Sequence, residues 1–299
     1  MLFLDGVGAG ALDPSVNPLA RARLPALTWL AGGQLPDGVR LSSSMLMLDA
    51  TLGVEGLPQS GTGQTALFTG TNAAQLIGKH FGPWAHSALH PVIEQQSILR
   101  HLHRQGWRTC FANAFPQRFF DFALRRRSRL TVTTLSCLGA GTRLRDAADL
   151  ATARALSADI TGEGWHRLGY EAIPRRDPGA AGSVLARLSE EFGFVLFEYW
   201  APDHAGHARD MAQAVDVLEK FDALLVGILE GIDLARTLLV ITSDHGNIED
   251  LSTKSHTRNP VPLIASGAGA AALFRTLRGS APTLPALSAV APALLEVLG

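Results

Sequence analysis

The sequence predicts an α/β fold with a mostly parallel central sheet, helices on both faces and a small inserted segment. Short apolar runs alternate with helix-like segments along the chain. Within residues 211–230, apolar residues recur with the period of a helix. Of the 299 residues, 46% are apolar. A chain of this size and composition can bury a large core. The expected strands are residues 2–4, 108–112, 194–199, 237–242 and 262–265.

The helices expected between and after these strands are residues 63–69, 97–105, 182–191, 211–230 and 285–298. The clearest is 211–230, where apolar residues from Ala214 to Ile228 recur at intervals of three and four and form one buried stripe. Residues 115–171 begin with several arginines and lack strong periodicity. We therefore expect them to form an insert or small cap within a core built from residues 1–114 and 172–299.

Composition narrows the class of protein. Because 26 basic residues balance 27 acidic ones, no net charge favours nucleic acid or a membrane surface as a partner. The apolar run 192–200 is too short to span a bilayer and is interrupted by Gly193 and Glu198. The first residues lack a basic stretch and a cleavage pattern, which predicts a cytoplasmic protein. Cys110 and Cys137 lack the spacing of a disulfide framework or a zinc site, so we expect buried thiols.

Aspartate and histidine side chains follow several of the predicted strands or lie in the loops beside them. They are Asp5, Asp203, His207, Asp244, His245 and His256. In open α/β sheets the carboxyl ends of the strands form the edge at which ligands bind. A mixed Asp and His set favours zinc, manganese or a similar divalent ion over calcium, which prefers oxygen ligands alone. These residues suit a two-metal centre of the kind that catalyses phosphoryl displacement.

A hydroxyl nucleophile is available at Ser60, which Gly61 and Gly63 follow at the start of a predicted helix. The amino end of a helix offers free N–H groups and the positive end of the helix dipole, and both stabilise an alkoxide and a phosphate. A metal bound to the Ser60 oxygen would lower its pKa further. Thr62 competes for the same role. Lys79 and Arg118 are the candidate substrate-binding residues, since both could contact a phosphate.

Five segments together resemble the alkaline phosphatase superfamily, and most closely its cofactor-independent phosphoglycerate mutase branch. They are DGVG at 5–8, the turn at Ser60, DHAGH at 203–207, TSDHGN at 242–247 and SHTRNPVP at 255–262. The last three are specific and occur in the order typical of the family. The resemblance covers both ends of the chain and leaves its middle unmatched.

The resemblance implies two divalent metal ions, with manganese or zinc preferred and magnesium as a third option. Their ligands would be Asp5, Ser60, Asp244 and His245 for one ion, and Asp203, His207 and His256 for the other. Ser60 would attack phosphorus and form a phosphoserine. Attack by water would then make the protein a phosphatase, whereas transfer to another hydroxyl of the bound product would make it a mutase.

A phosphomonoester hydrolase acting on a small metabolite is the function that the sequence favours. The first alternative is a phosphomutase of the independent phosphoglycerate mutase or phosphopentomutase type. The mutases carry a much larger substrate-binding insert, and they have a His where this chain has Gln64. The second alternative is a non-catalytic metal-binding relative. The expected partner is a small phosphorylated substrate, and neither nucleic acid nor a membrane is expected as a partner.

Overall fold

The computed structural model describes residues 1–33, 44–123, 125–281 and 284–299. These residues contain a six-stranded sheet with the strand order β2-β6-β5-β1-β4-β3. Its strands are β1 (Leu2–Leu4), β2 (Met45–Leu48), β3 (Thr109–Phe111), β4 (Phe194–Tyr199), β5 (Leu238–Ser243) and β6 (Val261–Gly267). All five predicted strands are present, with ends that differ from the prediction by two residues at most.

The middle of the sheet is parallel. The central strand β1 lies between β4 and β5, and Leu4 pairs with Tyr199 on one side and with Ser243 on the other. Strand β3 extends this parallel region beyond β4, while β6 pairs antiparallel with both β5 and β2. The carboxyl ends of β1, β4 and β5 therefore lie side by side, and the residues that follow them meet at one edge.

Fourteen α-helices lie in the described ranges. They are α1 (Pro25–Leu30), α2 (Ser60–Thr69), α3 (Ala73–Ile77), α4 (His90–Gln96), α5 (Ile98–Arg104), α6 (Gln117–Ala123), α7 (Val132–Ala140), α8 (Ala147–Ala151), α9 (Glu163–Arg167), α10 (Pro178–Glu191), α11 (Ala201–Ala208), α12 (Met211–Gly231), α13 (Ala270–Ser280) and α14 (Val290–Leu298). Short 3-10 turns occupy Pro18–Ala20, Ser87–Leu89, Arg127–Arg129 and Leu287–Ala289.

The five predicted helices are confirmed with shifted bounds. Helix α10 begins earlier than expected because Asp177 caps it and Pro178 occupies its first turn, where proline is well tolerated. Helix α14 begins later, since a 3-10 turn precedes it. Helix α2 begins at Ser60, three residues before the prediction. Its glycines are required by close packing, because a Cβ on Gly61 would lie 2.2 Å from the carbonyl oxygen of Trp84.

Both faces of the sheet are buried under helices. On β1, Phe3 joins a core cluster with Phe68 and Phe274, whereas its neighbours Leu2 and Leu4 join a second cluster on the opposite face. This alternation follows from the two-residue period of a strand. Because the central strands are covered on both sides, they read as continuous apolar runs, which is typical of a parallel sheet.

Strand β2 was not predicted from the sequence. It consists of four consecutive apolar residues, Met45–Leu48, all of them buried. A run this short has no period that distinguishes a buried strand from a buried helical turn. Its pairing with β6 arises from tertiary packing, which no local pattern encodes.

The segment 115–171 contains α6 to α9. Helix α7 packs against α4 and α5, and its apolar residues belong to the main core. Ala114, Leu150, Ala155, Trp165 and Ile173 form a separate small cluster. The interpretation of this segment as an insert or cap stays a prediction. Both cysteines are buried and free, as expected. The described ranges contain no helix with the length and apolar character needed to cross a membrane.

Candidate metal centre

The structure brings the six predicted Asp and His ligands to one edge of the sheet. Asp5 directly follows β1, and Asp244 and His245 directly follow β5. Asp203 and His207 lie one turn apart on α11, with His207 Nε2 3.4 Å from Asp203 Oδ2. This confirms that their spacing places both side chains on one helix face. The sixth residue is His256, from the loop before β6.

One group of donor atoms surrounds the His245 ring. Its Nε2 lies 3.2 Å from Asp5 Oδ1, 3.6 Å from Asp244 Oδ2 and 3.0 Å from Ser60 Oγ. One ligand atom from each of Asp5, Asp244 and His245 lies within 4.8 Å of the others. Two donors that share one ion at about 2.0–2.2 Å lie at most about 4.4 Å apart. The separations of 3.2 and 3.6 Å between His245 Nε2 and the two carboxylate oxygens meet this limit.

A second group lies beside the first. His256 Nε2 is 3.5 Å from Asp203 Oδ1 and 3.2 Å from His207 Nε2. The two groups adjoin through the stacked rings of His245 and His256, whose centroids are 3.9 Å apart. Asp203, His245 and His256 also satisfy the spacing of one ion. The arrangement is therefore two adjacent ligand sets rather than six scattered residues.

The two histidines of the second group are oriented by backbone carbonyls. His256 Nδ1 lies 2.7 Å from the carbonyl oxygen of Pro58, and His207 Nδ1 lies 2.8 Å from that of Lys254. When Nδ1 donates its proton to such a carbonyl, Nε2 is left as the free lone pair. Carbonyl partners of this kind fix the ring orientation of metal-binding histidines. Both Nε2 atoms point towards the candidate centre.

The charge balance of the first group fits a cation. Asp244 is completely buried, and its Oδ2 has no hydrogen-bond partner among the described residues. Burial and the charge of Asp5 raise the pKa of Asp244 well above its usual value. Burial alone would lower the pKa of His245, but the charges of Asp244 and Asp5 raise it to about 10. A divalent ion would supply both the missing partner and the positive charge.

In the second group, His256 is in the form that binds a metal. Burial, followed by the charge of His245, lowers the pKa of His256 to about 4. Its imidazole is therefore neutral near pH 7, and the neutral ring is the form that binds metals. The donor set of this group, one carboxylate with two imidazoles, is one that zinc accepts.

Ser60 is the hydroxyl nearest to the ligands. It is the first residue of α2 and lines the cavity above the centre. Thr62 is fully buried, and its hydroxyl donates to the carbonyl of Gln59 at 3.1 Å and accepts the N–H of Phe81 at 3.2 Å. Gly63 allows α2 to approach β5, since a Cβ there would lie 2.7 Å from the carbonyl oxygen of Asp244. The geometry therefore favours Ser60 over Thr62 as a nucleophile.

Glu249 holds the loops around the centre together, and sequence reasoning missed it. Its buried carboxylate accepts the N–H groups of Gly8 at 2.9 Å and Asn247 at 2.8 Å, the side-chain amide of Asn259 at 3.1 Å, and the hydroxyl of Thr257. It thus connects the loop after β1 with two parts of the loop between β5 and β6. A buried acid in a loop has no periodic signature, although its position four residues after His245 was a usable signal.

Glu198 is the second residue that sequence reasoning missed. It lies on β4, lines the cavity and accepts the hydroxyl of Thr133 at 2.7 Å. Burial raises the pKa of Glu198 to about 7, with the Thr133 hydrogen bond opposing and the charge of Asp5 adding to the shift. A carboxylate and a hydroxyl are oxygen donors of the type that magnesium prefers. The signal was a charged residue inside the apolar run 192–200.

A cavity of about 850 Å³ opens above the centre, with Asp5, Ser60 and Asp203 among its lining residues. Arg118, one of the two predicted substrate-binding residues, also lines it. Lys79 does not, which differs from the prediction. Lys79 is exposed on the turn that follows α3.

Comparisons with known proteins agree with this geometry. A family model described as the metalloenzyme superfamily matches residues 176–299. The fold is similar to that of a cold-active alkaline phosphatase from a Shewanella species, with a TM-score of 0.56 at 14% identity, covering 100% of this chain and 99% of that one. Residues 176–299 of the chain are thus similar to the metalloenzyme superfamily, and the fold is that of an alkaline phosphatase. Members of the superfamily are metal-dependent phosphoryl-transfer enzymes.

Two further proteins are similar to this chain. The 2,3-bisphosphoglycerate-independent phosphoglycerate mutase of Cereibacter sphaeroides is 30% identical over 138 residues, which are 44% of this chain and 26% of the mutase. The match thus spans about a quarter of the mutase. The PH0037 protein of Pyrococcus horikoshii has a similar fold, with a TM-score of 0.59 at 13% identity over 99% of this chain and 96% of that one.

Proposed function

We propose that this protein is a two-metal phosphomonoester hydrolase that forms a phosphoserine on Ser60. The observation that carries the proposal is the position of Ser60 Oγ, 3.0 Å from His245 Nε2 and at the floor of the cavity. A hydroxyl that touches a buried Asp and His ligand set is placed for attack on a phosphate bound between the two groups.

Each ligand group would hold one ion. The first set is Asp5, Ser60, Asp244 and His245, and the second is Asp203, His207 and His256. The ions would supply positive charge for the attacking and leaving oxygens. Manganese and zinc suit the mixed donors, and magnesium would suit the oxygen-rich side near Glu198. Helix α2 begins at Ser60, so the positive end of its dipole would favour a phosphate bound there.

The residues of the chain then divide the reaction into two steps. In the first, a bond forms between Ser60 Oγ and phosphorus, the Ser60 proton passes to solvent, and the ester P–O bond breaks as the leaving alkoxide takes a proton. In the second, water attacks the phosphoserine, releases inorganic phosphate and returns the proton to Ser60. Splitting the displacement in this way is the usual benefit of a covalent nucleophile.

A phosphomutase is the second candidate, because the curated relatives are phosphoglycerate mutases. A mutase must retain the dephosphorylated intermediate, which requires a closing cap. The matched part spans about a quarter of those mutases, so most of their length has no counterpart in the match. A hydrolase needs no such retention, and an exposed cavity rim formed by Arg118 and Phe122 suits it better.

The test is phosphate release from simple phosphomonoesters by protein loaded with Mn²⁺, Zn²⁺ or Mg²⁺. Ser60→Ala is expected to lower kcat by about 1,000-fold or more, while Thr62→Ser keeps most of the activity. Acid quenching followed by mass spectrometry should find phosphate on Ser60. Normal turnover in Ser60→Ala would overturn the nucleophile assignment. Bound metal without turnover or phosphoserine would favour the non-catalytic alternative, and conversion of 3- to 2-phosphoglycerate without phosphate release would favour the mutase.

A further inference from the structure

We propose that the preferred substrate is a phosphomonoester whose alcohol carries a planar aromatic group, bound by the aromatic side chains of the cavity above the metal centre. This inference rests on the proposed hydrolase function and specifies its substrate class. The phosphate would lie on the floor, beside Ser60 and Asp203, and the aromatic group would extend along the wall.

Aromatic side chains from separate parts of the chain converge on this one cavity. They are Trp84, Phe115, Phe119, Phe122, Trp165 and Trp200. Three of them are exposed, Trp84 by 41%, Phe122 by 64% and Trp200 by 38%. Large apolar groups that cluster while exposed mark an interaction site more often than single ones do. Their shared feature is a position between solvent and the candidate nucleophile.

The size of the cavity excludes a close fit to a very small ester. Pockets for small molecules span about 300–1,000 Å³, and this cavity of about 850 Å³ lies near the upper end. A phosphorylated three-carbon acid would fill only part of this volume and would leave the aromatic side chains of the cavity uncovered. An alcohol with one or two fused rings would instead fill the space and cover the apolar surface.

The wall is fixed by packing before any ligand binds. Phe115 and Phe119 stack with ring centroids 4.0 Å apart, and Trp165 contacts Tyr170 edge to face at 5.0 Å. The hydroxyl of Tyr170 accepts the N–H of Gln117 at 2.9 Å, which joins α6 to the segment that carries Trp165. Preorganised ring faces bind flat groups with little entropic cost. Ring–ring contacts also add to simple area burial, which favours an aromatic alcohol over an aliphatic one.

The rim carries positive charge. Arg118, Arg126, Arg129 and Arg167 are exposed and line the same cavity. Carboxylates at the floor would repel a phosphate dianion until metal ions offset them, whereas the rim attracts it from solution. The cavity therefore has three zones, a cationic rim, an aromatic wall and a metal-binding floor. In an aromatic phosphomonoester, the phosphate would be attracted by the rim and would react at the floor, while the aromatic group would contact the wall.

The test compares phosphate esters with matched leaving groups on the metal-loaded protein. The substrates are 2-(1-naphthyl)ethyl phosphate, octyl phosphate and ethyl phosphate, all esters of primary alcohols, so differences in leaving-group acidity do not confound the result. The expected kcat/KM for the naphthyl ester exceeds that for ethyl phosphate by about 30-fold and exceeds that for octyl phosphate by several-fold. Equal kcat/KM for naphthyl and ethyl esters would overturn the inference, as would a preference for octyl phosphate.

Binding gives a readout that is independent of turnover. 2-(1-Naphthyl)ethylphosphonate, which cannot be hydrolysed, should quench tryptophan fluorescence and bind more tightly than ethylphosphonate. Phe122→Leu and Trp84→Leu, which keep apolar bulk, are expected to reduce naphthylethylphosphonate binding by about 3–10-fold and to reduce ethylphosphonate binding by less. Trp29→Leu, an exposed tryptophan on α1 that does not line the cavity, is the matched control. Equal losses in Trp29→Leu, or none in the cavity variants, would overturn the assignment.

The two proposals fail in different ways. If no ester releases phosphate with any metal, the hydrolase function is wrong, and selective phosphonate binding still reports on the cavity. If kcat/KM for ethyl phosphate equals that for the naphthyl ester, the hydrolase function is supported and the proposed aromatic preference is wrong.

Discussion

The ligand edge and the cavity wall of this molecule are built on opposite principles. We define the ligand edge as residues 5–10, 203–207 and 244–260. We define the cavity wall as the aromatic residues that line the cavity, from Trp84 to Trp200, together with the arginines of its rim. At the ligand edge, Asp244 is completely buried, while on the cavity wall Phe122 is 64% exposed. The first region is held by hydrogen bonds between loops, and the second by ring packing.

This difference suggests that the ligand edge determines the reaction and that the cavity wall determines which substrate binds. At the ligand edge, several ligand side chains are oriented by other groups; for example, the Asn247 side-chain amide donates to Asp203 Oδ1 at 2.7 Å. A change there disturbs several partners at once. The exposed side chains of the cavity wall have few partners to lose, so single changes should alter which molecule binds without altering the reaction. The predictions below test whether the two regions can be perturbed independently.

The largest effect is expected at the ligand edge, in Asp244→Asn. The substitution keeps the size of the side chain but removes the charge that balances His245 and the ion of the first group. We expect kcat/KM to fall by about 1,000-fold or more, with one metal equivalent lost by elemental analysis. Stabilisation by bound metal, about 3–4 kcal/mol per ion at saturating concentration, should shrink, as measured by the Tm change on adding a chelator.

Asp216→Asn on the exposed side of α12 is the matched control, since its carboxylate pairs only with Lys220 at the surface among the described residues. It should leave metal content and rate unchanged. Full metal occupancy in Asp244→Asn would show that the ligand edge does not bind ions in the way proposed.

A smaller effect on metal binding is expected for Glu249→Gln, because Glu249 connects the loops of the ligand edge. The carboxylate accepts four hydrogen bonds, and an amide would turn two N–H donors towards groups that already donate. We expect a loss of about 2–4 kcal/mol in the free energy of unfolding. A drop of about 10–100-fold in metal affinity should accompany it, measured by titration with Zn²⁺.

Glu230→Gln, at an exposed position near the end of α12, controls for the change of charge. If Glu249→Gln bound metal as tightly as the unaltered protein, the loops of the ligand edge would be independent of one another. The contrast with the cavity wall would then lose its basis.

The ligand edge could be predicted from the sequence because its signals are local. Asp5, Asp203 and Asp244 each stand at or just after the end of an apolar run, and parallel strands bring such ends together. The i, i+4 spacing of Asp203 and His207 needed only a helix to become a ligand pair. Most residues of the candidate centre could therefore be predicted from the ends of strands and from one helical turn.

The remainder depended on contacts that sequence does not encode locally. The aromatic residues of the cavity extend from Trp84 to Trp200, with no common period that would place them on one surface. Glu249 became recognisable only when the loop after β1 and two parts of the loop between β5 and β6 met around its carboxylate. Strand β2 was missed for the same reason, because its partner β6 lies more than two hundred residues away in the chain. Lys79 looked suitable by charge, yet the fold turns it outward.

The smallest effect is expected on the rim of the cavity wall, in Arg118→Ala. This arginine is exposed and lines the cavity, so its charge should attract the phosphate before the reaction begins. We expect KM to rise by about 3–10-fold with kcat nearly unchanged, because an exposed charge contributes about 1 kcal/mol. The difference should shrink as salt is raised, since screening weakens exposed charges first. Lys79→Ala removes an exposed charge that does not line the cavity and should leave KM unaltered. A fall in kcat in Arg118→Ala would instead place Arg118 at the reacting phosphate and join this part of the cavity wall to the chemistry of the ligand edge.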